Sequence, residues 1–186
     1  MHKIWIVASV VALAFGCSAA QAASDVAAGG STKLCYLAAT AGEDNTESAL
    51  TFCNDALSEN VTSRDRAATY DNRGIVLLTL NQFREAEADF NRAIALRPDL
   101  GDGYLNRGAV YIAHKRYQEA LDDINKSITL GVSQPPLAYF NRAVANEGLG
   151  NVRAAYDDYR QALALAPDFT LASEQLSRFK VQTSGS

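Results

Sequence analysis

Hydrophobic residues recur along this chain at intervals of three and four positions, the spacing that places them on one face of an α-helix. The pattern is itself repeated, because the segment Tyr70–Gly74 returns as Tyr104–Gly108 and again as Tyr139–Ala143. The two steps between the three tyrosines are equal to within one position. A period of this size is typical of a solenoid of stacked units rather than of one globular core.

Each repeated unit has the pattern of a helix hairpin. The first helix carries Tyr and, four positions later, a small residue, whereas the second helix alternates small and large residues at helical spacing. Small residues allow the backbones of two antiparallel helices to approach closely. Two-residue turns separate the helices at Asn81–Gln82, Lys115–Arg116 and Gly150–Asn151. The sequence therefore predicts three hairpins, at residues 67–100, 101–134 and 136–169.

The flanking segments carry weaker forms of the same pattern. Cys53–Leu57 aligns with Phe90–Ile94, which predicts a degenerate helical hairpin at residues 33–66. An amphipathic run at residues 170–180 predicts a helix that covers the exposed face of the last hairpin, as the ends of solenoids require. The Ala-, Gly- and Ser-rich segment 24–32 is expected to be flexible, and residues 181–186 to form a disordered tail.

The repeat resembles a known family. Its first helix carries Tyr, Gly and Leu or Tyr, and its second carries Ala, Phe, Ala and Pro. These residues and the length of the period are similar to those of the tetratricopeptide repeat. The resemblance implies an all-α, right-handed α-solenoid with a C-terminal capping helix. It also implies a concave groove, lined by the first helices, that binds peptides or partner proteins. Three positions depart from the family pattern, and they predict a looser or more polar junction between the second and third units: Ser127, Val132 and Asn146.

Two charged columns run through the repeats. Arg73, Arg107 and Arg142 occupy a position where the family usually has Leu, and an aspartate follows each of them at one constant offset: Asp89, Asp123 and Asp158. Because the turn of an antiparallel hairpin lies between the two columns, we expect three ion pairs within the repeats. On this pattern alone, Arg107→Leu is expected to be mild and Asp123→Ala costly.

A column of amides precedes the arginines, at Asn72, Asn106 and Asn141. In this family that direction is the groove, where amides can hydrogen-bond to the backbone of an extended ligand. The alternative is that each Asn bonds to the neighbouring repeat. Apolar residues beside the amides complete the predicted binding groove, namely Ile75, Leu105, Ala109, Phe140 and Val144. Some grooves of the family grip a ligand's carboxylate with cations, but Asp71, Leu105 and Phe140 stand at those positions, so we expect no such clamp.

Residues 1–23 have the pattern of a signal peptide. Lys3 precedes an apolar run, Ile4–Gly16, and Ala20–Ala22 has the small-x-small pattern of a cleavage site. The run is shorter than the roughly 20 residues that span a bilayer, so we expect no membrane insertion of the mature chain. We expect export to a bacterial periplasm. Lipidation at Cys17, which would give an outer-membrane lipoprotein, and secretion are the alternatives.

Two cysteines remain after this segment, Cys35 and Cys53. An exported pair favours a disulfide, because the compartment is oxidising. The alternative is that Cys53 is only a small core residue, since it aligns with the column of Phe90.

Composition restricts the possible functions. The formal net charge of −4 provides no basic field for nucleic acid. His114 is the only histidine after the apparent signal peptide, so no catalytic triad or metal site is expected, and we expect neither enzymatic activity nor a cofactor. The predicted function is to hold a protein or peptide partner in the groove. The alternatives are a structural subunit that uses its convex or terminal surfaces, and a lipid-anchored adaptor.

Overall fold

The computed structural model describes residues 30–41 and 46–179. Over these residues the chain is helical without any strand, as predicted. The described residues form nine helices: α1 (Ser31–Thr40), α2 (Thr46–Ser58), α3 (Ser63–Thr79), α4 (Phe83–Leu96), α5 (Gly101–Ala113), α6 (Tyr117–Leu130), α7 (Pro135–Gly148), α8 (Val152–Leu165) and α9 (Thr170–Ser177). The predicted signal peptide, the lipidation position Cys17 and the tail 181–186 lie outside the described residues.

Consecutive helices pack as hairpins. The N-terminal hairpin consists of α1 and α2, and it is followed by unit 1 (α3 and α4), unit 2 (α5 and α6) and unit 3 (α7 and α8). The first helices of neighbouring hairpins contact one another, whereas the second helices stay farther apart. The stack therefore curves with its first helices on the inside. We call this side the inner face.

The three predicted turns share one backbone conformation. The first turn residue has a positive φ in every unit: 58° at Asn81, 60° at Lys115 and 80° at Gly150. The amide of the next residue then bonds back to the first helix at 2.8 Å, in the pairs Gln82 to Leu77, Arg116 to Tyr111 and Asn151 to Asn146. Each first helix thus ends in the same left-handed cap, which reverses the chain within two residues.

The centre of each hairpin is filled by one large side chain of the second helix. Phe90, Ile124 and Tyr159 hold this place and are fully buried. A Cβ added at Gly74 would lie 2.6 Å from the ring of Phe90, and one added at Gly108 would lie 2.8 Å from Ile124. The glycines therefore set how closely the two helices of units 1 and 2 approach.

The N-terminal hairpin differs from the prediction in its boundaries. Helix α1 begins at Ser31, inside the segment 24–32 that we expected to be flexible, and Thr32 is fully buried. The sulfur atoms of Cys35 and Cys53 lie at bonding distance, with their Cα atoms 4.6 Å apart. Both cysteines are also completely buried, so Cys53 fills the core column that the alignment with Phe90 predicted.

The junction between units 2 and 3 is held by specific bonds rather than being loose. Gly131, with φ of 85°, caps α6. The amide and the hydroxyl of Ser133 both donate to Asp102 Oδ1, at 2.9 and 2.8 Å. The loop that lacks the family's proline is therefore bonded to the first turn of α5.

Helix α9 covers unit 3, which confirms the predicted capping helix. It ends at Ser177, and its apolar side presents Ala172 and Leu176 to the core. Arg178, just beyond it, donates to Glu147 of α7 at 2.8 Å, and the Tyr159 hydroxyl donates to the same carboxylate at 3.1 Å. Among the described helices, none has the length and hydrophobicity required to cross a membrane.

Candidate functional site

The two charged columns meet across each hairpin. Every arginine donates to both oxygens of its aspartate, and the shorter bond measures 2.6 Å in Arg73–Asp89, 2.7 Å in Arg107–Asp123 and 2.7 Å in Arg142–Asp158. This two-bond geometry matches the planar fork of a guanidinium to a carboxylate. The hydrogen bond to the aspartate is also the largest cause that raises the pKa of each arginine.

Each guanidinium has a second partner residue that the sequence analysis missed. Its remaining nitrogen donates to an asparagine of the preceding hairpin, at 2.7 Å for Arg73–Asn54, 2.6 Å for Arg107–Asn91 and 3.0 Å for Arg142–Asn125. The arginines therefore join neighbouring hairpins as well as the two helices of one hairpin. The signal was present in the sequence, because an Asn follows Cys53, Phe90 and Ile124 in the same core column.

The three aspartates differ in what else they contact. Asp89 also accepts from Arg92 at 2.6 Å, and Asp158 accepts from Asn146 at 3.2 Å. Asp123 makes no side-chain bond other than those with Arg107 within the described part of the chain. Asn146 is thus a polar site at the place where the family has an apolar residue, and it supports the ion pair of unit 3.

The inner face is more closely packed than the sequence suggested. Of the eight residues predicted to line the groove, only Ile75 and Asn106 are partly exposed. The other six are buried: Asn72, Leu105, Ala109, Phe140, Asn141 and Val144. Phe140 shows the reason, because its ring packs between those of Tyr159 and Phe169, at 5.6 and 5.2 Å. These positions face the next helix of the stack, so their role in binding stays a prediction.

The three amides of the asparagine column have different surroundings. Asn106 donates from Nδ2 to both oxygens of Asp71 in the preceding unit, at 3.1 Å each, which is the neighbouring-repeat alternative. Asn141 stands one unit further along, where the residue equivalent to Asp71 is Leu105. Its side-chain oxygen is buried and has no hydrogen-bond partner among the described residues. The members of the asparagine column are therefore not equivalent. Asn106 makes a structural hydrogen bond, whereas the side-chain oxygen of Asn141 is an unsatisfied acceptor.

Asp71 is the polar group of the inner face with the most unusual electrostatics. The pKa of its carboxyl is raised from 3.8 to about 7, chiefly by burial; the hydrogen bond from Asn106 opposes this shift, and the nearby Asp102 adds to it. No arginine or lysine pairs with Asp71 in the described structure. The inner face therefore holds a partly buried carboxylate that lacks a counter-charge.

The groups that could have suggested catalysis lie apart. His114 is exposed at the end of α5 and contacts the edge of the Phe83 ring, with 5.2 Å between the ring centres. Asp122 and Asp157 are exposed, whereas their neighbours Asp123 and Asp158 are buried in the ion pairs, so the adjacent carboxylates diverge as expected. Within residues 30–41 and 46–179, no group of three His, Cys, Asp or Glu side chains is arranged to hold a metal ion.

The burial of the ion pairs predicts a larger cost for Arg107→Leu than the sequence alone suggested. The Asp123 side chain is 11% exposed and that of Arg107 is 19% exposed. We predict that Arg107→Leu lowers the free energy of unfolding by about 3 kcal/mol, because it leaves a buried carboxylate unpaired. Arg73→Leu is the matched control and is expected to cost only about 1 kcal/mol, because Arg92 still pairs with Asp89. Chemical denaturation measures both free energies of unfolding. Equal losses for the two variants would contradict the role of Arg92 as a second partner of Asp89.

The raised pKa of Asp71 predicts a pH-dependent stability. The folded protein holds the Asp71 proton more tightly than the unfolded chain does, so this group lowers the free energy of unfolding as pH rises from about 4 to about 7. Asp71→Asn removes the effect. We expect the melting temperature of the variant to exceed that of the wild type by a few degrees at pH 8 and by less at pH 5. Asp122→Asn, at an exposed position, should give no such gain, and a gain independent of pH would refute the assignment.

Comparisons with known proteins agree with the helix hairpins. The tetratricopeptide repeat family model matches residues 67–100 and 136–169, which are units 1 and 3. No curated protein matches the sequence. The Arabidopsis OM64 TPR domain superimposes with a TM-score of 0.60 at 25% identity, over 63% of this chain and 96% of the domain.

Two other solved structures have similar folds. The second TPR domain of human RPAP3, solved in complex with the HSP70 peptide SGPTIEEVD, gives a TM-score of 0.58 at 25% identity, over 62% of this chain and 96% of that one. MamA from Desulfovibrio magneticus RS-1 gives a TM-score of 0.64 at 20% identity, over 80% of this chain and 82% of that one, and shows the fold alone. Residues 67–100 and 136–169 therefore match the tetratricopeptide repeat, and the chain folds as a helical solenoid of the tetratricopeptide repeat type.

Proposed function

We propose that this protein is a non-catalytic scaffold that binds an extended segment of a partner protein on its inner face. The observation that carries the proposal is a cluster of three partly exposed side chains on that face: Asp71, Ile75 and Asn106. Asp71 and Ile75 are one helical turn apart on α3, and Asn106 of α5 bonds to Asp71. Polar groups beside an apolar side chain offer hydrogen bonds to a peptide backbone and a surface for its side chains.

The similar structures support a peptide as the ligand. Tetratricopeptide repeat domains mediate protein–protein interactions, and the RPAP3 domain was solved with a bound peptide. In this chain the cations of a carboxylate clamp are missing from the corresponding inner-face positions, where Asp71, Leu105 and Phe140 stand. The bound segment is therefore expected to differ in charge from an acidic C-terminal peptide.

A structural subunit is the second candidate, and one observation favours it. Leu34 and Leu37 of α1 are 44% and 49% exposed, on the terminal hairpin of the described stack. Exposed apolar side chains at the end of a solenoid provide a surface for assembly.

Substitutions on the two surfaces distinguish these functions. We expect the partner that is cross-linked to the wild type in a native cell extract to be lost from the double variant Ile75→Ala, Asn106→Ala. The same partner should be retained by Leu34→Ser, Leu37→Ser. Far-UV circular dichroism and thermal unfolding confirm that each variant is folded. The reverse result, loss only from the α1 variant, would refute binding on the inner face and favour the structural subunit.

We further propose that the protein is exported to the periplasm after removal of residues 1–23, and that Cys35 and Cys53 form a disulfide there. Secretion, or anchoring to the outer membrane through a lipidated Cys17, are the alternatives. The apolar run Ile4–Gly16 and the following small residues support the proposal.

The intact mass of the mature protein tests export. We expect a chain that begins at Ala23 or Ser24 and is lighter than its reduced form by the mass of two hydrogen atoms. An acylated chain that begins at Cys17 would favour the lipoprotein, and a chain that retains Met1 would contradict export. Fractionation of the cells separates a periplasmic from a secreted protein.

A further inference from the structure

The inner face lacks hydrogen-bond donors and positive charge, at two places one unit apart. Between units 1 and 2, the partly buried Asp71 carboxylate is bonded by the neutral amide of Asn106 and has no cation beside it among the described residues. Between units 2 and 3, Asn141 is 1% exposed and its oxygen accepts no hydrogen bond there. Both deficits are of the same kind, since a carboxylate and an amide oxygen are acceptors.

The arginine–aspartate ion pairs within the hairpins show that these deficits are local. The three buried acids of the second helices, Asp89, Asp123 and Asp158, are each paired with an arginine. Asp71 lies on α3 like Arg73, but it points toward α5 and not toward α4. The charged group of α5 that acts on Asp71 is Asp102, another acid, whose Oδ1 accepts two bonds from Ser133. Among the described residues, no cation of the fold serves this part of the inner face.

We propose that the occupant of the inner face is a basic, extended segment of a partner protein, with a lysine or arginine side chain seated on Asp71. This inference rests on the proposed function and specifies the chemistry of its ligand. A cation would supply the charge that Asp71 lacks. The pKa of Asp71 near 7 in the free protein agrees with a carboxylate that is still unpaired.

The choice of probe keeps this inference separate from the proposed function. The probe is a random library of nine-residue peptides with acetylated N-termini and amidated C-termini, so that no terminal charge contributes. The wild-type protein, Asp71→Asn and Asp122→Asn are each used to select binders at physiological salt. Asp122 is an exposed acid on α6, which makes its variant equal in net charge to Asp71→Asn. Because Asp71→Asn is expected to be at least as stable as the wild type at neutral pH, loss of folding does not explain a loss of binding.

The expected result is enrichment of lysine or arginine at one position among peptides selected by the wild type and by Asp122→Asn, but not by Asp71→Asn. For the most enriched peptide, replacing its basic residue by norleucine should weaken binding to the wild type about tenfold and leave binding to Asp71→Asn unchanged. Fluorescence anisotropy measures all four affinities of this cycle.

Three results would overturn the inference. Peptides that lack a preferred basic residue, yet lose binding to Ile75→Ala, Asn106→Ala, would disprove the basic ligand and leave the proposed function standing. Equal enrichment of basic residues by Asp71→Asn and Asp122→Asn would show a general attraction to a negative protein. The absence of any selected peptide would count against both the inference and peptide binding on the inner face.

Discussion

The stacking of this protein depends on one arginine in each unit. Its guanidinium donates to an aspartate of the same hairpin and to an asparagine of the hairpin before it, as in Arg107 with Asp123 and Asn91. It also lies near a tyrosine ring of its own helix, with 5.7 Å between Arg107 Cζ and the ring centre of Tyr104. A single side chain thereby fixes both the packing within a unit and the register between units. A leucine at this position, which is usual in the family, could fill the same volume but could not set the register by directional bonds.

This register decides which side chains reach the inner face. With each first helix held by its arginine, the residue before the arginine points toward the neighbouring first helix, as the bond from Asn106 to Asp71 shows. The residue two places before the arginine then meets the following unit or the capping segment. At Phe140 this means contact with Phe169 at the start of α9. The end of the inner face is therefore closed by aromatic packing, and the accessible polar groups are left near units 1 and 2.

The sequence allowed the repeat, the hairpins and the capping helix to be predicted, because the period of the repeat and a helical apolar pattern are local properties. The constant offset from each arginine to its aspartate, as from Arg107 to Asp123, predicted the ion pairs equally well, because the two residues lie on either side of a single turn. The burial of Leu105 and Phe140 was not predictable in the same way. It depends on how far each unit is rotated against the next, which the pattern of one unit does not contain. The repeated asparagine after the core column was visible in the sequence, but its bond to the arginine, as from Arg107 to Asn91, was missed because it joins two units.

The contrast between Asp123 and Asp71 links stability to function in this fold. Both acidic side chains are partly or wholly buried. Asp123 accepts two hydrogen bonds from the guanidinium of Arg107, whereas Asp71 accepts only from the neutral amide of Asn106. An unpaired carboxylate of this kind lowers the stability of the free protein, and an asparagine would fit the same place at no such cost. Proteins tolerate a destabilising group where it serves binding, because a ligand that satisfies the group recovers the lost free energy on association. Under the proposed function, the unpaired carboxylate of Asp71 is therefore the place where a basic ligand would contribute most.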